Sequence, residues 1–268
     1  MPCDIHKWRL CIGSSKASLK IVLLANGNDL PSVPVAYSAD MKETHENISQ
    51  ILDKICYHDY NWKLCAELKV VALLTGLQTG YTKYCCFLYV WGSRTRDYII
   101  WKWPRRETFT PGQKNVIHDS LVPKENIYLP PLYIKLGLIN QFVKAMDKTG
   151  DRFNFLKAKF PRLIEAKIKE GNFVGPQIRQ IFKDSTFMKN LSCKEKRVWI
   201  VFKNVSINFL GNKKSDDYVA HVEELLSAYK ARRWNMSLKV HFLHSQRCTV
   251  NLPNFLVRAS GPVPLNRF

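Results

Sequence analysis

One acidic residue stands where a carboxylate could support metal-dependent chemistry. Glu67 follows Trp62–Ala66, a short apolar run that predicts a buried strand. Carboxylates from adjacent strand ends can hold the paired divalent ions of phosphoryl transfer, which lie about 3.5–4 Å apart. At the end of the first predicted strand the corresponding position is Gly13, and glycine supplies no ligand. Glu67 is therefore a residual catalytic candidate whose expected partner is missing.

Other acids and other reaction classes find little support in the sequence. Asp29 is more economically a turn residue and Asp40 a helix cap, so both are weak substitutes for the missing ligand. The chain has no Gly-x-Ser-x-Gly elbow, no phosphate-binding Gly-rich Lys loop and no dinucleotide fingerprint. The sequence does not predict an enzyme, although an active metal-dependent nuclease that uses other acids stays an alternative.

Two groups of metal-ligating residue types favour packing over metal binding. A zinc knuckle needs Cys-x-x-Cys with a second pair of ligands, and Tyr89 stands where the partner of Cys86 would be. Cys85 and Cys86 are expected to be buried structural thiols. His241 and His244 share one face of an apolar helix without a carboxylate partner, which favours ordinary packing. We expect no bound metal.

The elements that must position Glu67 follow one another in a recognisable order. The pattern predicts a strand, a hairpin whose third strand lies at a sheet edge because of its prolines, a helix, a buried strand and a second helix. Their predicted bounds are Lys7–Ile12, Ser18–Ala25, Val33–Ser38, Asp40–Cys56, Trp62–Ala66 and Val70–Leu77. A ribonuclease-H-like core begins in this way, with strands one and four adjacent and parallel. The predicted fold class is α/β (α+β), a ribonuclease-H-like mixed sheet followed by a helical region.

Hydrophobic stripes at helical spacing indicate that the second half of the chain is helical and that these stripes form its core. They comprise Ile134, Leu138, Phe142 and Met146, then Val198, Val201, Phe202, Val205 and Phe209, then Val219, Val222, Leu225, Leu226 and Tyr229. The predicted organisation is an α/β part over residues 1–103, a connector over 104–128, a helical region over 129–245 and a disordered or frame-disrupted tail over 246–268.

The charge balance predicts a polyanionic partner. The chain carries a formal net charge of +19 and its pI is near 9.6, an excess that attracts nucleic-acid backbones. Dispersed cations favour weak binding without sequence preference; the candidates are Lys69, Lys83, Arg94, Arg96, Arg105 and Arg106. An alternative is a single-strand-binding module without enzymatic ancestry, which would stack bases on aromatic side chains; these are Tyr81, Tyr84, Phe87 and Trp91.

Hydropathy and the distribution of cysteines indicate in which compartment the protein is expected. No run has the length of a membrane helix, and Met1–Trp8 lacks the apolar core of a signal peptide. The 8 cysteines are scattered through the chain, which argues for free thiols in a reducing compartment. We expect a soluble intracellular protein, nuclear or cytoplasmic, that does not engage membranes.

Several long segments resemble a family of transposon-derived animal proteins. They include TGLQTGYTKYCCFLYVWGSR, LPPLYIKLGLINQFVKAMDKTG, FPRLIEAKIKEGNFVGPQIRQIF and NMSLKVHFLHS, and together the matching segments cover most of the chain. Combined with the order of elements, the resemblance implies a transposase with a ribonuclease-H-like core and a helical insertion, as in the hAT group. It implies an ancestral magnesium or manganese site and a zinc site.

Departures from the family pattern imply that these sites are lost. The resemblance implies Asp where this chain has Gly13, and Asp where it has Glu67. It also implies a cysteine at Tyr89 and a histidine at Tyr133, so two zinc ligands are missing together. After HFLHS the family continues into an acidic stretch, whereas Gln246–Phe268 carries only basic charge. We expect a degenerate transposase-derived protein without catalysis that keeps nonspecific affinity for nucleic acid.

Overall fold

The computed structural model describes residues 5–15, 18–26, 30–80, 82–92, 110–211, 215–232, 234 and 236–248. These residues form a mixed α/β arrangement in which a five-stranded sheet is followed along the chain by helices. They divide into two compact units, one up to Pro130 and one from Pro131 onwards. Each unit is described by itself.

The first unit is built on a mixed sheet with the strand order β3-β2-β1-β4-β5. Its strands are β1 (Trp8–Ser14), β2 (Leu19–Ala25), β3 (Val33–Ser38), β4 (Lys63–Ala66) and β5 (Ile127–Tyr128). β2 is antiparallel to β1 and β3, whereas β4 runs parallel to β1 and β5 parallel to β4. The prediction that strands one and four are adjacent and parallel is confirmed.

The third strand lies at the sheet edge, as its prolines indicated. Pro34 pairs with Val22 at a shift in register, and Tyr37 is exposed. Proline lacks a backbone N–H, so it is tolerated at an edge or bulge, where no donor is needed. At the opposite edge, the fifth strand comes from the end of the segment predicted as a connector.

Three helices accompany the sheet: α1 (His45–Lys54), α2 (Tyr57–Tyr60) and α3 (Leu68–Leu74). Apolar residues of α1 and α3 are buried together with residues of β1; they are Leu10, Ile12, Ile48, Ile51, Leu52, Val70, Val71 and Leu74. At roughly 1.5–3 kcal/mol for each fully buried side chain, this layer is a major source of stability for the first unit.

The bounds of two helices differ from the predictions. The first helix begins after Thr44, whose Oγ1 accepts a 3.2 Å hydrogen bond from the Asn47 N–H. The predicted start at Asp40 is wrong because Glu43 does not cap a helix there; its carboxylate binds other side chains, described below. The helix ends at Lys54 rather than Cys56, where φ is +54°. The next long helix ends at Leu74 and not at Leu77.

The second unit is helical, with eight helices in the part of the chain that the structure describes. They are α4 (Pro131–Lys144), α5 (Asp151–Lys159), α6 (Glu165–Lys169), α7 (Gly175–Lys183), α8 (Ser185–Lys189), α9 (Cys193–Asn208), α10 (Tyr218–Ala231) and α11 (Leu238–Cys248). The predicted stripe on α4 is buried, as are the stripe centred on Phe202 and all but Val219 of the stripe on α10. Helix α11 continues past residue 245; residues 249–268 of the predicted tail lie outside the described residues.

Aromatic side chains form the centre of the second unit. The ring of Trp199 lies 4.8 Å from that of Phe187 and 5.1 Å from that of Phe142, in edge-on or tilted orientations. Such pairs add about 0.5–1.5 kcal/mol each beyond the burial of their area. A buried ion pair completes the packing, because Arg152 on α5 donates to the carboxylate of Glu195 on α9. The N–H of Ser192 also donates to Glu195, at 3.0 Å.

Candidate functional site

Two carboxylates meet at the carboxyl ends of β1 and β4. Ser14 ends β1, and its hydroxyl donates to Glu43 Oε2 and lies 3.3 Å from Glu67 Oε1. Glu67 directly follows β4, and Glu43 lies two residues before α1. Because β1 and β4 are parallel neighbours, their carboxyl ends lie side by side, which brings Ser14 and Glu67 together. Glu43 joins them from the segment before α1. We call Ser14, Glu43, Glu67 and Lys69 the strand-end cluster.

The second carboxylate, that of Glu43, forms an ion pair with a lysine of the chain. The Lys69 ammonium, from the first turn of α3, donates to Glu43 Oε1. The Glu43 side chain is only 11% exposed, whereas that of Lys69 is 53% exposed. Both Glu43 oxygens are therefore engaged, one by an ammonium group and the other by a hydroxyl group. The cluster neutralises one of its two negative charges internally.

The side chain that faces Glu67 is Ser14, one residue beyond the glycine that sequence reasoning singled out. Successive strand side chains point to opposite faces of a sheet. A side chain at position 13 would therefore point away from the face that carries Ser14 and Glu67. A carboxylate at position 14, and not at position 13, would therefore face Glu67.

The ligand count limits the chemistry of the strand-end cluster. Within the described part of the chain, no third carboxylate, histidine or cysteine joins Glu43 and Glu67 in a group able to share an ion. Two-metal phosphoryl transfer needs several acids from different elements. Asp40 is exposed and its predicted role as a helix cap is wrong, because Thr44 is the cap. Asp29 lies outside the described residues. The cluster is a satisfied polar network rather than a vacant acid site.

The predicted nucleic-acid contacts fall into three groups. Lys69 pairs with Glu43, so its ammonium already has an anionic partner. Lys83 is exposed and its ammonium lies 5.2 Å from the centre of the Tyr84 ring. Lys114, which sequence reasoning missed, approaches the same ring at 4.9 Å. The other four candidates, Arg94, Arg96, Arg105 and Arg106, lie outside the described residues.

The aromatic side chains proposed to stack bases are mostly packed inside the first unit. Phe87 is 1% exposed and Trp91 is 3% exposed, so neither offers a face to a nucleobase. Burial in the core removes both ring faces from solvent, so these two side chains pack the core and do not serve the stacking alternative. Tyr84 remains half-buried between two lysines, and Tyr81 lies outside the described residues.

The cysteines and the paired histidines are packed as the sequence indicated, with one addition. Cys86 is buried as predicted, Cys85 is only half-buried, and neither forms a disulfide. Cys11 and Cys65 face each other across β1 and β4, an arrangement that no spacing rule reveals. A hydrogen bond from the Cys65 thiol lowers the pKa of Cys11, and the positive charge of Arg9 acts in the same direction.

His241 and His244 are both buried in α11, at 0% and 2% exposed. Burial, with a smaller contribution from His244, lowers the pKa of His241 to about 3. A histidine that resists protonation this strongly is neutral at physiological pH. The burial of both rings agrees with the prediction that this pair packs in the core, since a bound metal ion would need further ligands beside the two histidines.

Comparisons with known proteins identify two domain models in this chain. Residues 2–122 match a domain of unknown function, DUF8703, and residues 131–211 match a second, DUF8704. The first match lies in the unit that carries the sheet and the second in the helical unit. No curated protein and no solved structure matches the chain.

None of the described helices combines the length and the apolar character needed to cross a bilayer.

Proposed function

We propose that this chain is a degenerate, transposase-derived protein that binds nucleic acid without cleaving it. The observation that carries the proposal is the strand-end cluster. Glu43 is bound by Ser14 and Lys69, Ser14 also lies 3.3 Å from Glu67, and no third acid of the described residues joins this pair. The Lys69 ammonium compensates the charge of Glu43, whose side chain is only 11% exposed.

The sheet supports a ribonuclease-H-like ancestry. The strand order β3-β2-β1-β4-β5, with β2 alone antiparallel to its neighbours, agrees with the order expected for that core. Glu67 follows β4, where such a core carries one of its catalytic carboxylates, and Glu43 reaches the same place from the segment before α1. The resemblance to transposon-derived proteins adds to this argument, since a transposase that lost its acids would retain its basic surface.

The binding surface that we propose centres on Lys83, Tyr84 and Lys114, which we call the lysine–tyrosine cluster. Two ammonium groups within 6 Å of one ring make a cationic, partly aromatic patch. Phosphates and stacked bases are the groups that such a patch suits. In the sequence, four arginines lie between Lys83 and Lys114 and add to the positive charge of this segment.

Binding is tested by fluorescence anisotropy with labelled single-stranded and double-stranded DNA over a series of salt concentrations. We expect weak binding without sequence preference and a steep loss of affinity with salt. In Lys83→Gln/Lys114→Gln, the loss of two phosphate contacts should reduce the slope of log affinity against log salt by about 1.4 on single strands. The double variant Lys42→Gln/Lys54→Gln removes the same charge from exposed positions elsewhere in the first unit and serves as the matched control.

Cleavage is tested on the same DNA with magnesium or manganese. We expect no product from the wild-type chain or from Glu67→Ala. Metal-dependent cutting that Glu67→Ala abolishes would overturn the proposal and establish the nuclease alternative. Salt-insensitive or absent DNA binding would remove the nucleic-acid part. A marked preference for single strands that Tyr84→Ala removes would favour the single-strand-binding module.

A further inference from the structure

A second group of metal-ligating side chains lies in the first unit and plays no part in the proposed function. His45 and Glu46 occupy the first turn of α1, and His118 comes from the loop that precedes β5. Each residue offers one ring nitrogen or carboxylate oxygen, and these three atoms lie within 4.8 Å of one another. Residues from two distant parts of the chain thus converge on one point at the surface.

The distances approach those of a tetrahedral zinc site. Ligand atoms around zinc are about 3.4 Å apart when each bond is about 2.0–2.1 Å long. His118 Nε2 lies 3.8 Å from Glu46 Oε1, and the two imidazole rings stack with their centres 4.3 Å apart. Because a metal ion lies in the plane of each imidazole that binds it, the two rings must turn out of this stacked arrangement to share one ion.

Backbone contacts hold His118 in place. The N–H groups of Ile117 and His118 both donate to the carbonyl of Gly76, at 2.7 and 3.1 Å. Gly76 has a φ of +66°, and a Cβ there would lie 1.9 Å from the His118 carbonyl oxygen. Only glycine permits this approach, because any side chain would displace the loop that presents His118.

One histidine already has the supporting hydrogen bond typical of a metal ligand. His45 Nε2 lies 3.0 Å from the backbone carbonyl oxygen of Asp119. A carbonyl oxygen only accepts, so Nε2 carries the hydrogen and Nδ1 of the neutral ring keeps its lone pair. Metal-bound histidines usually donate their other N–H to a carbonyl or carboxylate, which orients the ring.

We propose that His45, Glu46 and His118 form a zinc-binding site with one open coordination position. Two imidazoles and one carboxylate suit zinc better than magnesium or calcium, which prefer oxygen ligands. Three protein ligands leave the fourth position of a tetrahedral ion to water. Glu43, two residues before His45, is engaged by Ser14 and Lys69 and is not a ligand of this site. The bound ion would tie the start of α1 to the loop before β5.

The experiment is a titration of the metal-free full-length protein with zinc by isothermal calorimetry. His118→Gln and Glu46→Gln each remove one ligand with little change in side-chain volume. We expect the dissociation constant to rise at least about tenfold in each, since even outer contacts of bound metals are worth about 10–100-fold. The matched control is His58→Gln, which removes an exposed histidine from α2 of the same unit.

Zinc also binds thiols, so the same titration is repeated with cobalt, whose absorption reports thiolate ligands. A thiolate band that accounts for all bound cobalt would overturn the proposal, as would absent zinc binding or unchanged affinity in either ligand variant. If a variant fails to fold, the site is tested instead on the wild-type protein, by recording nitrogen-15 spectra of its histidine rings with and without zinc. Zinc must then shift the ring resonances of His45 and His118 while it leaves those of His58 unchanged; any other pattern contradicts the site.

Discussion

The buried histidine of α11 should make the second unit sensitive to mild acid. His241 is 0% exposed, and its burial with a smaller effect of His244 lowers the folded-state pKa to about 3. In the unfolded chain the same imidazole has a pKa of about 6.5. Between these two values the unfolded state binds a proton that the folded state does not. Stability must therefore fall as the pH falls from about 6.5 towards 3.

The size of this effect follows from the two pKa values. Below the unfolded pKa, each pH unit costs about 1.4 kcal/mol for one proton taken up on unfolding. At pH 5 the accumulated loss from His241 is about 2 kcal/mol. That loss is a large fraction of the roughly 5–15 kcal/mol by which ordinary domains are stable. The range from pH 7.5 to 5 lies above the ordinary pKa of carboxylates and covers that of histidines, of which the chain has 7, so comparison with a variant of His241 separates its contribution.

Urea unfolding followed by far-ultraviolet circular dichroism, at several pH values, measures this loss. Hydrogen exchange of peptides from α10 and α11 assigns the transition to the second unit. In His241→Gln the free energy of unfolding should lose about 2 kcal/mol less than in the wild type between pH 7.5 and 5. His221→Gln, from the same unit, controls for the removal of one histidine. Parallel curves for the wild type and His241→Gln would refute the reasoning, whatever their absolute stabilities.

Three further changes test other parts of the structure. Glu195→Ala leaves a partly buried arginine unpaired and removes the glutamate half of the capping box at Ser192, so thermal or urea unfolding should report a loss of about 3 kcal/mol. Gly76→Ala should cost at least about 2 kcal/mol in the same assays from its positive φ and a backbone clash, and more than Gly80→Ala, which has space for a Cβ. Ser14→Asp should create a third carboxylate beside the existing pair and manganese binding measurable by calorimetry, whereas Gly13→Asp should not; equal behaviour would contradict the assigned strand face.

Local patterns were sufficient to predict four of the five strands, two helices of the first unit and the helical stripes of the second. Short apolar and β-branched runs predicted β1, β2 and β4, and the prolines placed β3 at an edge, because these signals depend on the residues of each element alone. Helical spacing identified the buried stripes of the second unit for the same reason. Strand β5 was not predicted, because two residues carry no periodicity and owe their conformation to pairing with β4.

The candidate site was predictable only in part. Glu67 was recognised because it follows a strand, which is a local signal. Glu43 stands three residues after Asp40, which is the spacing of a capping box and predicts a helix start instead of a strand-end contact. Its actual contacts, with Ser14 and Lys69, join residues 29 and 26 positions away in the sequence. No single-sequence rule reports such contacts, since they depend on the crossing from β1 to β4.

The pairing of Lys69 with Glu43 in the strand-end cluster would reduce the repulsion that a phosphate backbone meets at this place. If the acids were unpaired, they would repel a phosphate backbone at the same sheet edge where a nuclease must admit it. With Lys69 on Glu43, one negative charge is cancelled close to the site, so a DNA strand meets less repulsion there than two free carboxylates would cause. In the proposed function this pairing favours DNA binding, while the absence of a third acid accounts for the lack of cleavage. Lys69→Gln should weaken DNA binding at low salt without restoring cleavage, because it uncovers a charge while the third ligand is still missing.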